Sequence, residues 1–132
     1  VAAARRPERE IKLLLLAPAF GIHLVWAQQC GEAGMTEWKA AGHLKHFHNG
    51  VKADIEIPYC FWEQCRAEAG VVVSQPTVIV HGIDDEVVPL GGSVSMACRS
   101  SGVKRLLAVD DGHRLQNSFT AMEEALDHLL SL

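Results

Sequence analysis

The sequence predicts an α/β fold in which parallel strands are flanked by helices. Three short apolar runs, at residues 11–16, 76–81 and 106–109, are continuous rather than alternating. Continuous hydrophobicity is what strands need when helices cover both faces of a parallel sheet. A helical pattern separates the second run from the third, and the whole unit has the size of one right-handed crossover.

The predicted helices lie before, between and after these strands. Residues 1–6 resemble the end of a helix, which Pro7 terminates. Residues 92–101 form the helix of the crossover, with Ser93 as its N-cap. The last helix covers residues 119–130, and its expected apolar face is Phe119, Met122, Leu126, Leu129 and Leu130.

The middle of the chain differs in composition from both ends. Residues 20–75 hold all three tryptophans and three clustered histidines. The alternating segment 54–58 predicts an edge strand, because Pro58 would end any central strand. We therefore expect three parts: a helix end and core strand at 1–19, an insertion of mostly helix and loop at 20–75, and an α/β core at 76–132.

Composition excludes several classes of protein. The chain has 132 residues, 48% of them hydrophobic, 21% charged, and a net charge of −4. Apolar surface is ample for a folded core, and the acidic balance disfavours a nucleic-acid partner. The longest apolar stretch, 11–27, is interrupted and is too short for a membrane span. Four cysteines without CxxC spacing favour reduced thiols and a cytoplasmic location.

Polar side chains follow the second and third strands where each strand ends. His81, Asp84 and Asp85 follow one strand, and His113 follows the next. In open parallel sheets, ligands bind beyond the carboxyl ends of the strands. A carboxylate orients an imidazole that acts as a base, so Asp85 and His113 are candidates for the acid and base of a catalytic triad. Asp84 is a weaker candidate for the acid, and we expect His81 to be a structural hydrogen-bonding residue.

These motifs resemble the C-terminal half of an α/β-hydrolase. The resemblance rests on His-Gly-x-x-Asp-x-x-Val-Pro at 81–89 and on Asp-Gly-His at 111–113. Residues 2–19 also resemble the helix after a nucleophile elbow and the strand behind it, which leaves residues 20–75 in the place of the variable cap or lid. The resemblance implies a serine hydrolase, of esterase type, that acts on a small ester-like substrate without a cofactor. Asp85 would be the acid of its catalytic triad and His113 the base.

The sequence departs from this family at the nucleophile. The family places a serine in a Gly-x-Ser-x-Gly turn ahead of the acid, whereas Ser74 is the only serine before Asp85 and lies in no such turn. The family pattern puts this turn just upstream of Val1, so we expect a truncated hydrolase without its nucleophile. The alternative is a non-catalytic fragment, or a module that forms a homo-oligomer through the unpaired edge of the 11–16 strand.

Two metal sites are weaker alternatives. His43, His46 and His48 could ligate a metal, but helical spacing brings only two of them together. We interpret them as a solvated or substrate-lining lid segment. The carboxylates at the two strand ends could hold Mg²⁺ for phosphoryl transfer, although the chain has no matching Gly-rich phosphate loop; these residues are Asp84, Asp85, Asp110 and Asp111.

Overall fold

The structure is a computed structural model that describes residues 11–48 and 50–132. The predicted helix end at residues 1–6 lies outside the described residues. Strands and helices alternate along much of the chain. In order they are β1 (Leu13–Leu16), α1 (Ile22–Ala41), β2 (His43–His48), β3 (Ala53–Pro58), α2 (Tyr59–Ala67), β4 (Thr77–Gly82), α3 (Gly91–Arg99), β5 (Val103–Val109) and α4 (Phe119–Ser131).

The described chain divides into two compact units. The first unit contains the described residues up to Phe20 together with Gly70–Leu132, and the second unit is Gly21–Ala69. Residues 70–75, which lie at the end of the predicted insertion, therefore belong to the first unit.

A parallel sheet of three strands forms the centre of the first unit. The strand order is β1-β4-β5, and both neighbouring pairs are parallel. All six residues of β4 are buried. This confirms the predicted parallel α/β arrangement, although β5 begins at Val103, earlier than the apolar run alone indicates. Lys104 and Arg105 are exposed, and these charges hide the start of the strand in a hydrophobicity pattern.

Side chains of β4 alternate between two apolar clusters, one on each face of the sheet. Val78 and Val80 pack in the cluster that contains α4, whereas Ile79 packs with Met96 of α3. All three β4 side chains are fully buried. A strand with both faces covered in this way needs the continuous apolar run that the sequence shows.

The predicted apolar face of α4 is partly wrong. Ala125 and Leu129 are buried against the sheet, but Phe119 and Leu130 are 69% and 65% exposed. Met122 packs beside the buried pair, so the contact line has spacing of three and four residues. The small Ala125 side chain lets the helix approach the strands, and the larger residues on the adjacent stripe stay in solvent.

The predicted N-cap of α3 is also wrong. The helix begins at Gly91, and Ser93 is a fully buried residue of its first turn. Gly92 is required there, because a Cβ atom at this position would lie 2.1 Å from the carbonyl oxygen of Phe20. The helix start is therefore set by close backbone packing.

The second unit combines two helices with an antiparallel hairpin. The predicted edge strand is β3, and β2 pairs with it from His43↔Pro58 to His48↔Ala53. The interpretation of residues 20–75 as mostly helix and loop misses β2. Helix α1 is interrupted at Gly31, whose φ of 66° lies in the left-handed region.

Aromatic side chains form the core of the second unit. Trp38 donates its indole N–H to the carbonyl oxygen of Ile57 at 3.0 Å, and Trp62 donates to that of His23 at 2.9 Å. The ring of Tyr59 lies between those two indoles, with centroid separations of 5.6 and 5.4 Å. The tryptophans therefore fill a small core and also donate hydrogen bonds to backbone carbonyls, one of them buried.

Candidate active site

The loops after β4 and β5 are in direct contact at the carboxyl end of the sheet. Gly82, the last residue of β4, packs against the next loop so closely that a Cβ atom would lie 2.2 Å from the carbonyl oxygen of Asp111. Ile83 donates its backbone N–H to Val109, and Asp84 donates to Asp111. These contacts bring the segment that contains Asp85 next to the segment that contains His113.

Asp85 is buried and has hydrogen-bond donors on both carboxylate oxygens. Its Oδ1 accepts the backbone N–H groups of Val87 at 2.9 Å and Val88 at 2.7 Å. Its Oδ2 lies 2.9 Å from Nδ1 of His113. The side chain of Asp85 is 0% exposed, whereas that of His113 is 35% exposed. The structure thus brings together the two residues that the sequence singled out.

The donors around Asp85 determine its charge state. Burial alone would raise the pKa of this carboxyl, because desolvation penalises the charged form. The hydrogen bonds from Val88, His113 and Val87 outweigh burial and lower the pKa below its usual value of 3.8. Asp85 is therefore a carboxylate at neutral pH.

The carboxylate in turn fixes the tautomer of His113. A carboxylate only accepts hydrogen bonds, so Nδ1 of His113 carries the proton and Nε2 has a free lone pair. Among the described residues, that Nε2 has no hydrogen-bond partner. The backbone N–H of His113 donates to Oε2 of Glu86 at 3.4 Å, which is a further hydrogen bond between the two loops.

Asp111 organises the loop after β5. One carboxylate oxygen accepts the backbone N–H of Gly112, and the other accepts the N–H of Asn117 and the hydroxyl of Ser118. The hydrogen bond from Asn117 is the main cause of the lowered pKa of Asp111. This carboxylate therefore connects the start of the loop to the residues just before α4.

Solved structures with a similar arrangement of strands and helices identify the fold. Alpha/beta hydrolase domain-containing protein 10 from mouse matches 98% of this chain with a TM-score of 0.75 and 25% sequence identity. A "putative hydrolase" from Agrobacterium vitis S4 matches 89% of it with a TM-score of 0.69 and 20% identity. This chain has an α/β-hydrolase fold. It spans about half the length of those structures, 56% and 49% respectively.

Sequence comparison alone does not reach this conclusion. No family model matches the chain, and a search of curated proteins finds no significant match. The α/β-hydrolase fold is therefore recognised through the arrangement of strands and helices, together with the short motifs at the strand ends.

Ser74 lies at the wrong end of the α/β-hydrolase sheet for a nucleophile. It precedes β4, whereas Asp85 follows that strand. The fully buried strand therefore separates Ser74 from the paired Asp85 and His113, and the structure does not bring this serine to the candidate site.

Sequence reasoning missed a second imidazole contact with Asp85. Nε2 of His81 lies 3.2 Å from Oδ2 of Asp85, and Nδ1 lies 2.7 Å from Oγ of Ser93. This Ser–His–Asp connectivity resembles a catalytic triad, but His81 and Ser93 are both 0% exposed. A substrate cannot reach the hydroxyl of Ser93, so this cluster is not the nucleophilic site. The motif His-Gly-x-x-Asp places His81 four residues before Asp85, and only that spacing could have indicated the contact.

The histidines of the second unit do not converge on one point. His43, His46 and His48 lie on β2, where His43 is on the opposite face from the other two because side chains alternate. Nε2 of His43 is 3.8 Å from Oε1 of Glu56. Within residues 11–48 and 50–132, no group of three or more His, Cys, Asp or Glu side chains could hold a metal ion.

The Asp residues at the strand ends have different surroundings. Asp84 and Asp110 are exposed, whereas Asp85 and Asp111 accept hydrogen bonds from their own loops. It is Asp85, and not Asp84, that is hydrogen-bonded to His113.

In the described part of the chain, no helix is long and apolar enough to cross a membrane.

Proposed function

We propose that this chain supplies the acid and the base of a serine hydrolase, with Asp85 as the acid and His113 as the base. The observation that carries the proposal is the 2.9 Å contact between Nδ1 of His113 and a buried carboxylate. That contact leaves Nε2 available as a proton acceptor on the partly exposed edge of the ring. A base of this kind needs both a fixed tautomer and access to the reactants.

The reaction follows from the roles of the two side chains. Nε2 of His113 removes the proton from a serine hydroxyl while the serine oxygen attacks the carbonyl carbon of an ester. The carboxylate of Asp85 stabilises the imidazolium that forms, and His113 then gives the proton to the leaving alcohol. Water attacks the acyl-enzyme in the second half of the cycle, with His113 again as base. A carboxylic ester is the proposed substrate, and a thioester or amide would react in the same way.

The nucleophile of this reaction is proposed to come from outside the 132 residues. The sequence contains no Gly-x-Ser-x-Gly turn. Ser74 precedes β4, and Ser93 is fully buried. We place the serine on residues encoded upstream of Val1 and assign the second unit, Gly21–Ala69, as the cap of the enzyme. The proposed reaction uses no cofactor.

The test compares two polypeptides: this chain, and the same chain extended by its upstream coding sequence. A fluorophosphonate probe should label a serine in the extended protein and leave the 132-residue chain unlabelled. In the extended protein, His113→Ala and Asp85→Asn should lower hydrolysis of a p-nitrophenyl ester by about 10³-fold or more. His128→Ala, which changes a histidine of α4, is the matched control and should retain the activity. An extended protein that is not labelled, or a labelled serine in the short chain, would contradict the proposal.

Association through a sheet edge is the second candidate function. Within the described residues, β1 pairs only with β4, and its apolar residue Leu16 is 46% exposed. An unpaired apolar edge can add a strand from another copy of the chain. Sedimentation should then show a dimer that Leu16→Lys converts to a monomer. A monomer at every concentration would contradict this second function.

A further inference from the structure

His81 is a fully buried titratable side chain that the proposed reaction does not use. We propose that His81, held in its Nε2–H tautomer by the carbonyl oxygen of Val88 and hydrogen-bonded to Ser93 through Nδ1, is a positioning residue for Asp85. It acts through Val88, whose backbone contacts both side chains. The inference rests on the proposed roles of Asp85 and His113, and it adds the groups that keep the acid in place.

The acceptors around His81 determine its tautomer. Nε2 lies 2.9 Å from the carbonyl oxygen of Val88 and 3.2 Å from Oδ2 of Asp85. Both oxygens are acceptors only, so a lone pair on Nε2 would face two negative atoms. Nε2 therefore carries a proton, which it donates to Val88. In the neutral ring, Nδ1 is then the acceptor, and the hydroxyl of Ser93 donates to it at 2.7 Å.

The positioning acts through a continuous chain of hydrogen bonds. Ser93 donates to His81, and His81 donates to the carbonyl oxygen of Val88. The N–H of Val88 donates to Oδ1 of Asp85 at 2.7 Å, and Nδ1 of His113 donates to Oδ2. Val88 is only 2% exposed, so water cannot readily replace these partners.

This series of hydrogen bonds connects the carboxylate of Asp85 to the imidazole of His81. Val88 holds Asp85 through its N–H group, and His81 holds Val88 through the carbonyl group of the same residue. If His81 no longer binds that carbonyl, the Asp85–Val88 turn is free to move. The hydrogen bond from Val88 to Oδ1 then weakens, and the carboxylate loses its orientation toward His113.

Two substitutions of His81 separate positioning from mere packing. His81→Gln places an amide N–H close to the former Nε2 and keeps the donor to Val88. His81→Asn places its amide close to the former Nδ1 and loses that donor. Both are polar and smaller than histidine, so the pair controls for lost ring volume.

The experiment is NMR on the full 132-residue chain with labelled histidine and aspartate. In the wild type, the ¹⁵N signals of His81 should show a proton on Nε2. His81→Asn should move the titration midpoint of Asp85 upward by about one pH unit, the size expected for one hydrogen bond to a charged group. It should also speed the exchange of the Nδ1 proton of His113. His81→Gln should stay close to the wild type in both measurements.

A second pair of variants covers the case in which His81→Asn does not fold. Ser93→Ala removes the hydroxyl that donates to His81 and should shift both the His81 signals and the Asp85 midpoint. Ser95→Ala, two residues along the same helix, is the matched control and should change neither. The titratable groups that contact Asp85 in the described chain are His81 and His113, so their signals are followed in the same titration.

The outcomes are distinguishable from those of the proposed function. A His81 ring protonated only on Nδ1 would overturn the inference. So would an Asp85 midpoint unchanged in the folded Asn and Ala variants. The NMR signals are measured without turnover of a substrate, so they test the role of His81 even if the extended protein hydrolyses no ester. Conversely, probe labelling of the extended protein with no shift in the variants would leave the proposed function intact and overturn only the role of His81.

Discussion

The substitution Gly82→Ala should separate the acid from the base without touching either side chain. The added Cβ atom would lie 2.2 Å from the carbonyl oxygen of Asp111 and 2.7 Å from that of Gly112. To reach an ordinary contact of 3.4 Å, the Asp111 carbonyl must retreat by about 1.2 Å. His113 comes two residues after Asp111, so a shift of that size would stretch its 2.9 Å contact with Asp85 to about 4 Å, beyond hydrogen-bond range.

The energetic cost of Gly82→Ala follows from two effects. Overpacking of a rigid backbone contact costs about 1–3 kcal/mol. Loss of a hydrogen bond to a charged group costs about 1.5–3 kcal/mol. Because part of the strain is relieved when that hydrogen bond breaks, we expect the free energy of unfolding to fall by about 3 kcal/mol.

Chemical denaturation of the full chain measures this cost directly. Gly91→Ala is the control, because a Cβ atom at Gly91 meets nothing within 4 Å and alanine favours a helix. That variant should be neutral or slightly stabilising. If Gly82→Ala unfolds at the same denaturant concentration as Gly91→Ala, the reasoning about the contact between the two loops is refuted.

Three further predictions concern the charge of the acid, the second core and the thiols. The free energy of unfolding should decline as the pH falls below about 4. The pKa of Asp85 is lower in the folded chain than the usual value of 3.8, so the charged carboxylate stabilises the fold above that pH. This stabilisation disappears as the carboxyl group of the folded chain becomes protonated. Asp85→Asn should flatten that decline in acid titrations followed by circular dichroism, and an unchanged slope would contradict it. Trp62→Phe should cost about 1–3 kcal/mol in denaturation, because it leaves a buried carbonyl without its donor. Trp26→Phe changes an indole whose contacts are with the rings of Trp38 and Phe61, so it should cost less. Equal costs would refute the importance of the indole hydrogen bond. Iodoacetamide should modify the exposed Cys60 before Cys65, whose pKa burial raises, and mass spectrometry of partial reactions would reveal the opposite order.

The sequence predicts the parallel sheet because buried parallel strands have a simple signature. The centre of β4 is the uninterrupted apolar run Val78–Val80, and a run this short with β-branched residues is typical of a buried strand rather than a helix. β2 has no such signature, because its three histidines and one lysine are exposed. The strand exists because it pairs with β3 along its whole length. Propensity and periodicity do not report that pairing.

The candidate site is predictable only in part for a related reason. Asp85 and His113 each follow a strand, so the topology of a parallel sheet brings them to one edge. Ser93 lies inside a helix start, where its residue type predicts a cap. Its actual role depends on the close approach of α3 to the sheet, which places the hydroxyl beside His81. Such an approach depends on packing between distant elements and leaves no local pattern.

The central position of β4 has a consequence for the order in which the protein opens. Within the described residues, β4 is the strand with hydrogen-bonded neighbours on both sides, and its six residues are all buried. Amide groups of such a strand exchange with solvent only when the whole domain unfolds. Because Asp85 follows β4 by three residues, the acid is attached to the slowest-opening part of the fold. Thermal motion that frays the edge strands or the second unit would then leave the position of this carboxylate largely unchanged.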